Sequence, residues 1–448
     1  MAKETNGASV PKALTQDYIA ESLVEAICVT GMNGEVLFLN AAAEKLFRTE
    51  GEKRSRKIWE VIPFVARNDD LIQLLINCVI NKETRFAAEV DYENREGNVS
   101  RLHVSVKYME EEQPAFLILI NNLTELTRTT AALTRYTSAE IADFILHTPE
   151  GARQGGRECQ VSVLMSDLRG FTAMSGRMDS DQLLSMLNHY LEEMTAIIEN
   201  RRGTVIEFLG DGIFVLFGAP KDNPNHAADA VICALEMQNA MDRVNAWNRQ
   251  QGFPELSMGI GIHSGPATVG NIGSRFKMKY GCVGETVNIA GRIQSRTARG
   301  QVFISRETCG LIGEPLTLGE EMTLVAKGKM EPIHLYEVTG IGSIKLGNRA
   351  EGEIAFRTLG TPAPMNFTLM TEKTAEDCRR EGRLEKLSGD GKYAVLRPEE
   401  PLPLFADLRV NGEEMAYAKV IRREEDGAFQ ICFTWTAEGF DAWLKGLA

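Results

Sequence analysis

VSVLMSDLRGFT, residues 161–172, and TVIEFLGDGIFVLFG, residues 204–218, are the two stretches on which the reading of this chain turns. Each is an apolar run rich in β-branched and aromatic residues, and each carries an aspartate beside glycine. Asp167 stands just ahead of Arg169-Gly170, and Asp211 lies between Gly210 and Gly212. Runs of this kind are buried strands, because such side chains fit a pleated, packed surface. Two strands that bring carboxylates to one end of a sheet make a site of hard oxygen donors, suited to Mg²⁺ with a polyphosphate.

The bulk properties set limits around that site. A chain of 448 residues is long enough for about three domains. With 44% hydrophobic and 25% charged residues it has the composition of a globular protein with large cores. A formal net charge of −13 leaves no domain-wide basic stripe to displace counterions from a phosphate backbone, so nucleic acid is not an expected partner. An acidic enzyme can still hold a nucleotide when metal ions supply the positive charge. The eight cysteines, at 28, 78, 159, 233, 282, 309, 378 and 432, form no CxxC pair. That spacing argues against a zinc site or a disulfide framework and for reduced thiols. The opening MAKETNGASVPKALTQD has no signal-peptide apolar core, and no apolar run is long enough for a membrane span, so a cytoplasmic location is expected.

Residues 1–17 are polar and expected to be disordered. Residues 18–122 begin with ESLVEAICVTGMNGEVLFLNAAAEKLF, which reads as strands Ala26–Thr30 and Val36–Asn40 about an Asn33-Gly34 turn, then a helix. Three alternating runs follow, at 85–92, 100–107 and 115–121. This pattern resembles a PAS sensor domain, with no ligand assigned. His103 falls in an alternating strand, where an exposed or satisfied histidine is expected rather than a haem ligand. Residues 123–157 read as a helical linker. Leu123, Leu126, Thr130 and Leu133 have a and d spacing for a short parallel coiled coil. Arg135–Leu146 then resembles the transducer segment that precedes many bacterial cyclase domains.

Residues 158–340 alternate strands and helices with antiparallel returns, which predicts an α+β sheet rather than a doubly wound one. In LSMGIGIHSGPATVGNIGS the HSG triplet reads as a turn. Across this region SDLRGFT, EFLGDGIFVLFG, GIGIHSG, VGNIGS, GETVNIAGR and KGK occur in the order seen in the class III nucleotidyl cyclase catalytic domain, which the chain resembles. The resemblance implies a ferredoxin-like α/β sandwich. It also implies attack of a ribose 3′-hydroxyl on its own α-phosphate with loss of pyrophosphate, and two Mg²⁺ or Mn²⁺ ions per site. Asp167 and Asp211 would bridge both ions, with the Leu168 carbonyl as a further ligand. The turn at Phe171 and Thr172 offers backbone N–H groups to phosphate. Asn288 would orient the ribose and Arg292 would stabilise charge on the α-phosphate; four apart, they share one face if the segment is helical. Lys327 would hold the terminal phosphates, with Lys329 as helper. In the family the carboxylates and the Asn/Arg pair of one site come from opposite subunits, so a homodimer with two equal interfacial sites is implied.

The base is read at two positions. Four residues before Asp211, where adenylyl cyclases usually carry a lysine, stands Glu207. A carboxylate only accepts, and guanine presents N1–H and an amino group. After Tyr280 comes Gly281, which has no side chain to read with; Cys282, one place on, is not carried over as a base contact. GTP is therefore favoured over ATP, with an adenylyl cyclase as the alternative, and a non-catalytic nucleotide-binding scaffold as the reading outside enzymes. No GGDEF-like loop points to a diguanylate cyclase. After a linker at 341–354, residues 355–448 read as a small β-barrel ended by the helix Ala437–Leu447. It resembles a PilZ domain, yet Lys386 stands where the ligand motif has aspartate and the arginine spacing around Arg379-Arg380 and Arg383 departs from the pattern. A structural or interaction module is expected there. Either end domain could receive a regulatory partner.

Overall fold

The alternating runs of residues 85–122 pair as antiparallel strands, with Leu102, Val104 and Val106 facing the core with Phe116, Ile118 and Ile120. They are seen in a computed structural model that describes residues 20–48, 56–110, 113–125, 136–324, 332–347, 354–371, 378–411 and 415–447, with a few isolated residues between. The polar N-terminus, coiled-coil positions Leu126, Thr130 and Leu133, and Lys327 and Lys329 lie outside the described residues. The chain folds as two units, residues 1–136 and 137–448.

The first unit contains β1 (Ala26–Thr30), β2 (Val36–Leu39), α1 (Ala41–Phe47), α2 (Ile58–Val61), α3 (Asp69–Asn81), β3 (Arg85–Glu93), β4 (Val99–Met109) and β5 (Ala115–Asn122). Their order in the sheet is β2-β1-β5-β4-β3. Buried Asn40 ends β2 and starts α1, its Oδ1 accepting from Ala43 N–H and Ile27 N–H, each at 2.9 Å. On α3, Leu71, Leu75, Cys78 and Val79 form the stripe that covers the sheet. His103 is half-exposed on the face of β4 opposite Leu102 and Val104.

The second unit opens with α4 (Ala139–His147), capped by Ser138. Then come β6 (Gly155–Leu168), α5 (Phe171–Ser175), α6 (Ser180–Asn200), β7 (Thr204–Leu209), β8 (Gly212–Phe217) and α7 (His226–Gln251). They are followed by β9 (Met258–Ser274), β10 (Lys277–Val283), α8 (Glu285–Arg296), β11 (Val302–Ser305), α9 (Arg306–Gly310), β12 (Leu316–Leu324), β13 (Ile333–Ile341) and β14 (Ile344–Lys345). The sheet runs β12-β13-β11-β9-β6-β8-β7, with β10 folded back on the far half of β9. Of these pairings β11 with β9 is parallel and the others are antiparallel. The α+β expectation is realised in this mixed sheet.

Strand parity divides the two faces. Leu164, Leu168, Ile213, Val215 and Phe217 face α6 and α7, where Met186, Tyr190, Met194 and Ile198 make an i, i+4 stripe, each fully buried side chain contributing about 1.5–3 kcal/mol. Val161, Val163, Phe214 and Leu216 face the other way, toward Ala290 of α8 and Ile141 of α4. Asp167 shares the parity of Val161 and Val163 and so emerges on the side of α8.

The HSG triplet is not a turn: β9 continues unbroken from Met258 to Ser274. Its glycines serve helix packing instead. A Cβ at Gly261 would lie 2.3 Å from the Gln294 backbone nitrogen, and one at Gly259 would lie 2.1 Å from Thr297 Oγ1. Removing those two side chains lets α8 lie directly on the strand.

The barrel contains β15 (Phe356–Thr371), β16 (Thr374–Ala375), β17 (Arg380–Ser388), β18 (Tyr393–Pro398), β19 (Asp407–Asn411), β20 (Ala416–Arg423) and β21 (Phe429–Thr436), ended by α10 (Glu438–Leu447). Strands β15-β17-β18-β21-β20-β19 close on themselves through β15 with β19, making a six-stranded barrel to which β16 adds a short flap. Phe440 and Leu444 of α10 join its core. Ser388 Oγ donates to Asp390 Oδ1 at 2.6 Å and accepts from Tyr393 N–H at 2.9 Å, so the polar groups of LSGDG are spent on the β17–β18 hairpin.

Candidate active site

The ends of β6 and of the β7–β8 hairpin meet. Leu168 N–H donates to Asp211 Oδ2 at 3.1 Å, and Gly210, with φ 70°, makes the tight turn that presents Asp211. Burial and then the charge of Asp167 push the Asp211 carboxyl up to about 6. Two carboxylates crowded in this way form an oxygen donor set short of positive charge, and hard divalent cations suit it. Among the described residues no cluster of three His, Cys, Asp or Glu side chains offers a rival metal site.

Arg169 is the nearest cation to this pair, and sequence reasoning gave it no role. Its guanidinium is almost wholly buried, 3.6 Å from Asp167 Oδ2, and donates to the Gln294 carbonyl at 3.3 Å and to Thr297 Oγ1 at 3.2 Å. Burial lowers its pKa while Asp167, Asp407 and Asp211 pull the other way. Arg169 thus ties the carboxylate-bearing strand to the C-terminal end of α8. A cation two residues after an aspartate at the end of an apolar strand was the available signal. Beyond it Gly170 adopts φ 72°, and α5 begins with half-buried Phe171 and exposed Thr172.

Helix α8 realises the i, i+4 pair: Asn288 and Arg292 are both exposed on one face. Thr286, Ala290 and Gln294 lie against β9 and the sheet, and Ile289 and Ile293 pack with Phe303 and Leu335. At 100° per residue, the Asn288/Arg292 face is turned away from the sheet. It is therefore directed away from Asp167 and Asp211 of the same chain.

Glu207 owes its direction to a bulge. The β7–β8 register shifts between Val205 and Glu207, so Glu207 pairs with Phe214 and takes the face of Phe214 and Asp167 rather than that of α6. Lys279 Nζ donates to Glu207 Oε2 at 2.7 Å, with both side chains substantially exposed. Lys279 and Gly281 lie two apart on β10 and share one of its faces, while Tyr280 and Cys282 occupy the other and are buried with Val161, Val163 and Val269. The structure thus brings the Glu207 and Gly281 strands together and adds Lys279, which the sequence gave no reason to single out. Phe144 of α4 rests edge-on against Tyr280, ring centroids 5.3 Å apart.

With this geometry in place, comparison with known proteins is informative. Residues 155–337 match the family described as the adenylate and guanylate cyclase catalytic domain. Adenylate cyclase 1 of Rhizobium meliloti is 28% identical over 234 residues, covering 49% of this chain and 35% of that protein. The adenylate cyclase of Anabaena cylindrica is 31% identical over 188 residues, covering 40% and 36%. The chain thus spans about a third of the length of these curated relatives. Among solved structures, the guanylyl cyclase Cya2 is 41% identical, with a TM-score of 0.42, covering 43% of this chain and all of that one. Relatives thus carry both adenylate and guanylate names. The motif order read from residues 158–340 and the matched span agree, and over residues 155–337 the chain is a nucleotide cyclase catalytic domain.

Proposed function

We propose that this nucleotide cyclase domain acts on GTP, forming 3′,5′-cyclic GMP and pyrophosphate in a homodimer. The observation that carries the choice of base is the pairing of Glu207 with Lys279 beside Gly281. Guanine presents two adjacent donors, N1–H and the 2-amino group, and next to them the acceptor O6. A carboxylate matches the two donors with its two oxygens, and an ammonium matches O6. Gly281 leaves room for the ring. Adenine fits the same pair only when turned so that its amino group meets Glu207 and N1 meets Lys279, with one hydrogen bond fewer.

Asp167 and Asp211, with the Leu168 carbonyl, would hold two Mg²⁺ or Mn²⁺ ions. When bound, such ions lower the pKa of the attacking hydroxyl and neutralise the leaving pyrophosphate. The chain's own groups do the rest. Phe171 and Thr172 offer backbone N–H groups to the phosphates, and Lys327 contributes charge to their far end. Asn288 orients the ribose, and Arg292 stabilises charge developing on the α-phosphate. The outward aspect of the Asn288/Arg292 face supports a site completed by a second copy, two sites per dimer. The β2-β1-β5-β4-β3 order of the first unit supports its reading as a PAS-type sensor.

The test is product identification by mass spectrometry after the purified chain is given equal GTP and ATP with Mg²⁺ or Mn²⁺. Cyclic GMP should dominate. Mainly cyclic AMP would refute the choice of base, and neither product would refute catalysis in favour of a nucleotide-binding scaffold.

A further inference from the structure

We propose that the C-terminal barrel is a positioning element of the catalytic site, holding through Trp435 the loop that follows Asp167 and through Lys419 and Phe405 the helix that carries Asn288 and Arg292. The proposal rests on the cyclase reading above, and three separate contacts carry it.

The first is on the loop. Trp435, on the last barrel strand, presses so closely on Gly170 that a Cβ at Gly170 would lie 2.4 Å from Trp435 Cβ and 3.0 Å from the Thr434 carbonyl oxygen. The Arg177 guanidinium, just beyond α5, lies 4.8 Å from the centroid of the same indole. Trp435 therefore touches the chain on both sides of α5, at Gly170 between Asp167 and Phe171 and at Arg177 beyond Ser175. The second contact is on the end of α8. Lys419, buried on β20, donates from Nζ to the Ser295 carbonyl at 2.8 Å and pairs with Asp407 Oδ1 at 2.8 Å. A cation there satisfies an otherwise orphaned helix carbonyl and meets the negative end of the helix dipole. The third is beneath α8. Phe405 adopts φ 64°, an uncommon backbone state for a side chain of that size, and its ring enters the cluster of Ile289, Ile293, Phe303 and Leu335. Its centroid lies 6.0 Å from that of Phe303.

One barrel thus grips both the loop beside the carboxylates and the helix of the transition-state residues. Where each dimer site takes its loop from one chain and its helix from the other, every barrel touches both sites. Its two grips should be separable. Loosening Trp435 should disturb the metal-holding end, whereas loosening Lys419 should disturb α8 and leave metal binding alone.

The experiment uses the full chain and its variants Trp435→Ala, Trp435→Phe, Lys419→Met and Lys419→Arg. It measures steady-state kinetics with GTP and, without nucleotide, direct Mn²⁺ binding by electron paramagnetic resonance. Trp435→Ala should lower kcat by about tenfold or more, with KM moved less than about threefold and Mn²⁺ binding weakened about fivefold. Lys419→Met should lower kcat about fivefold or more with Mn²⁺ binding unchanged, and Trp435→Phe and Lys419→Arg should recover most of the rate. An unchanged kcat in both truncations would make the barrel a passenger, and a raised one would make it an inhibitor. An equal loss of Mn²⁺ binding in both would mark general loosening. Each of these outcomes overturns the proposal. A wild-type chain that makes no cyclic nucleotide would refute the cyclase reading, while the Mn²⁺ measurement would still decide between separable grips and general loosening.

Discussion

Replacing Glu207 by lysine should invert the base preference, and the structure sets the scale of the effect. A hydrogen bond to a charged acceptor contributes about 1.5–3 kcal/mol when nothing competes for it. Glu207 would make two to guanine, but its side chain is 43% exposed and already paired with Lys279. Solvent screening and that competing partner reduce the pair of bonds to about 2 kcal/mol in all, or about thirtyfold in kcat/KM. A lysine at 207 would also face Lys279, adding repulsion of about 1 kcal/mol at contact distance in water, a further factor of about five, so a fall of about 30- to 150-fold with GTP is expected. With ATP the change should stay within about threefold, because adenine gives up one bond to the carboxylate and can accept one from the new ammonium at N1. Lys279→Met removes the O6 donor alone and should cost GTP turnover about five- to tenfold. Stability should hardly move, since exposed ion pairs contribute about 0–1 kcal/mol. The assay is initial-rate kinetics with each nucleotide, alongside a melting curve. A GTP-to-ATP ratio unchanged within threefold in Glu207→Lys, in protein that melts normally, would show that Glu207 does not touch the base.

Two further outcomes are expected. Because the Asp211 carboxyl is raised from 3.8 to about 6, the stability of its protonated form is fully present below 3.8 and is lost as pH rises through about 6. Asp211→Asn should therefore raise Tm by about 2–4 °C at pH 8 and by less than half as much near pH 4, the full shift being discounted for a partly exposed group. Mn²⁺ should stabilise the wild type at pH 8 but not this variant; a variant less stable than wild type at pH 8 would contradict the crowding of carboxylates. Asp167→Ala and Arg292→Ala chains should each be inactive, yet random mixing should restore about a quarter of wild-type activity, because half the dimers would hold one intact site of two. Activity that stays absent in confirmed mixed dimers would place both sets of residues within one chain.

What could be read from the sequence divides along the range of the interactions. The apolar run VSVLMSD marked a strand that ends beside Asp167, and the four-residue spacing of Asn288 and Arg292 placed them together, because both patterns follow from local backbone geometry. GIHSGP misled for the opposite reason. Glycine, serine and proline are turn signals in isolation, but here the neighbouring glycines are required by a helix 30 or so residues downstream, and tertiary packing overrode local preference. The bulge that aims Glu207 left no mark in TVIEFL, and its partner Lys279 lies on a different strand. The barrel was visible as strands and turns. That Trp435 would rest on Gly170 was not, since nothing near either residue in the chain records the other.

Helix α8 shows why these separate findings belong together. Its inner face is committed: Thr286, Ala290 and Gln294 lie on glycine-cleared β9, and Ile289 and Ile293 share a core with Phe303 and the barrel's Phe405. Its C-terminal end is fixed twice, by Arg169 from the carboxylate strand and by Lys419 from the barrel. A helix held on its inner face and at its end cannot roll to bring Asn288 and Arg292 over its own Asp167 without breaking all of those contacts. The outer face can act only on something brought to it, which under the proposed function would be a nucleotide held by the carboxylates of a second chain. In the proposed dimer, the same bonds that keep α8 from serving its own site would keep it fixed for the partner's, so that rigidity within one chain would serve catalysis between two.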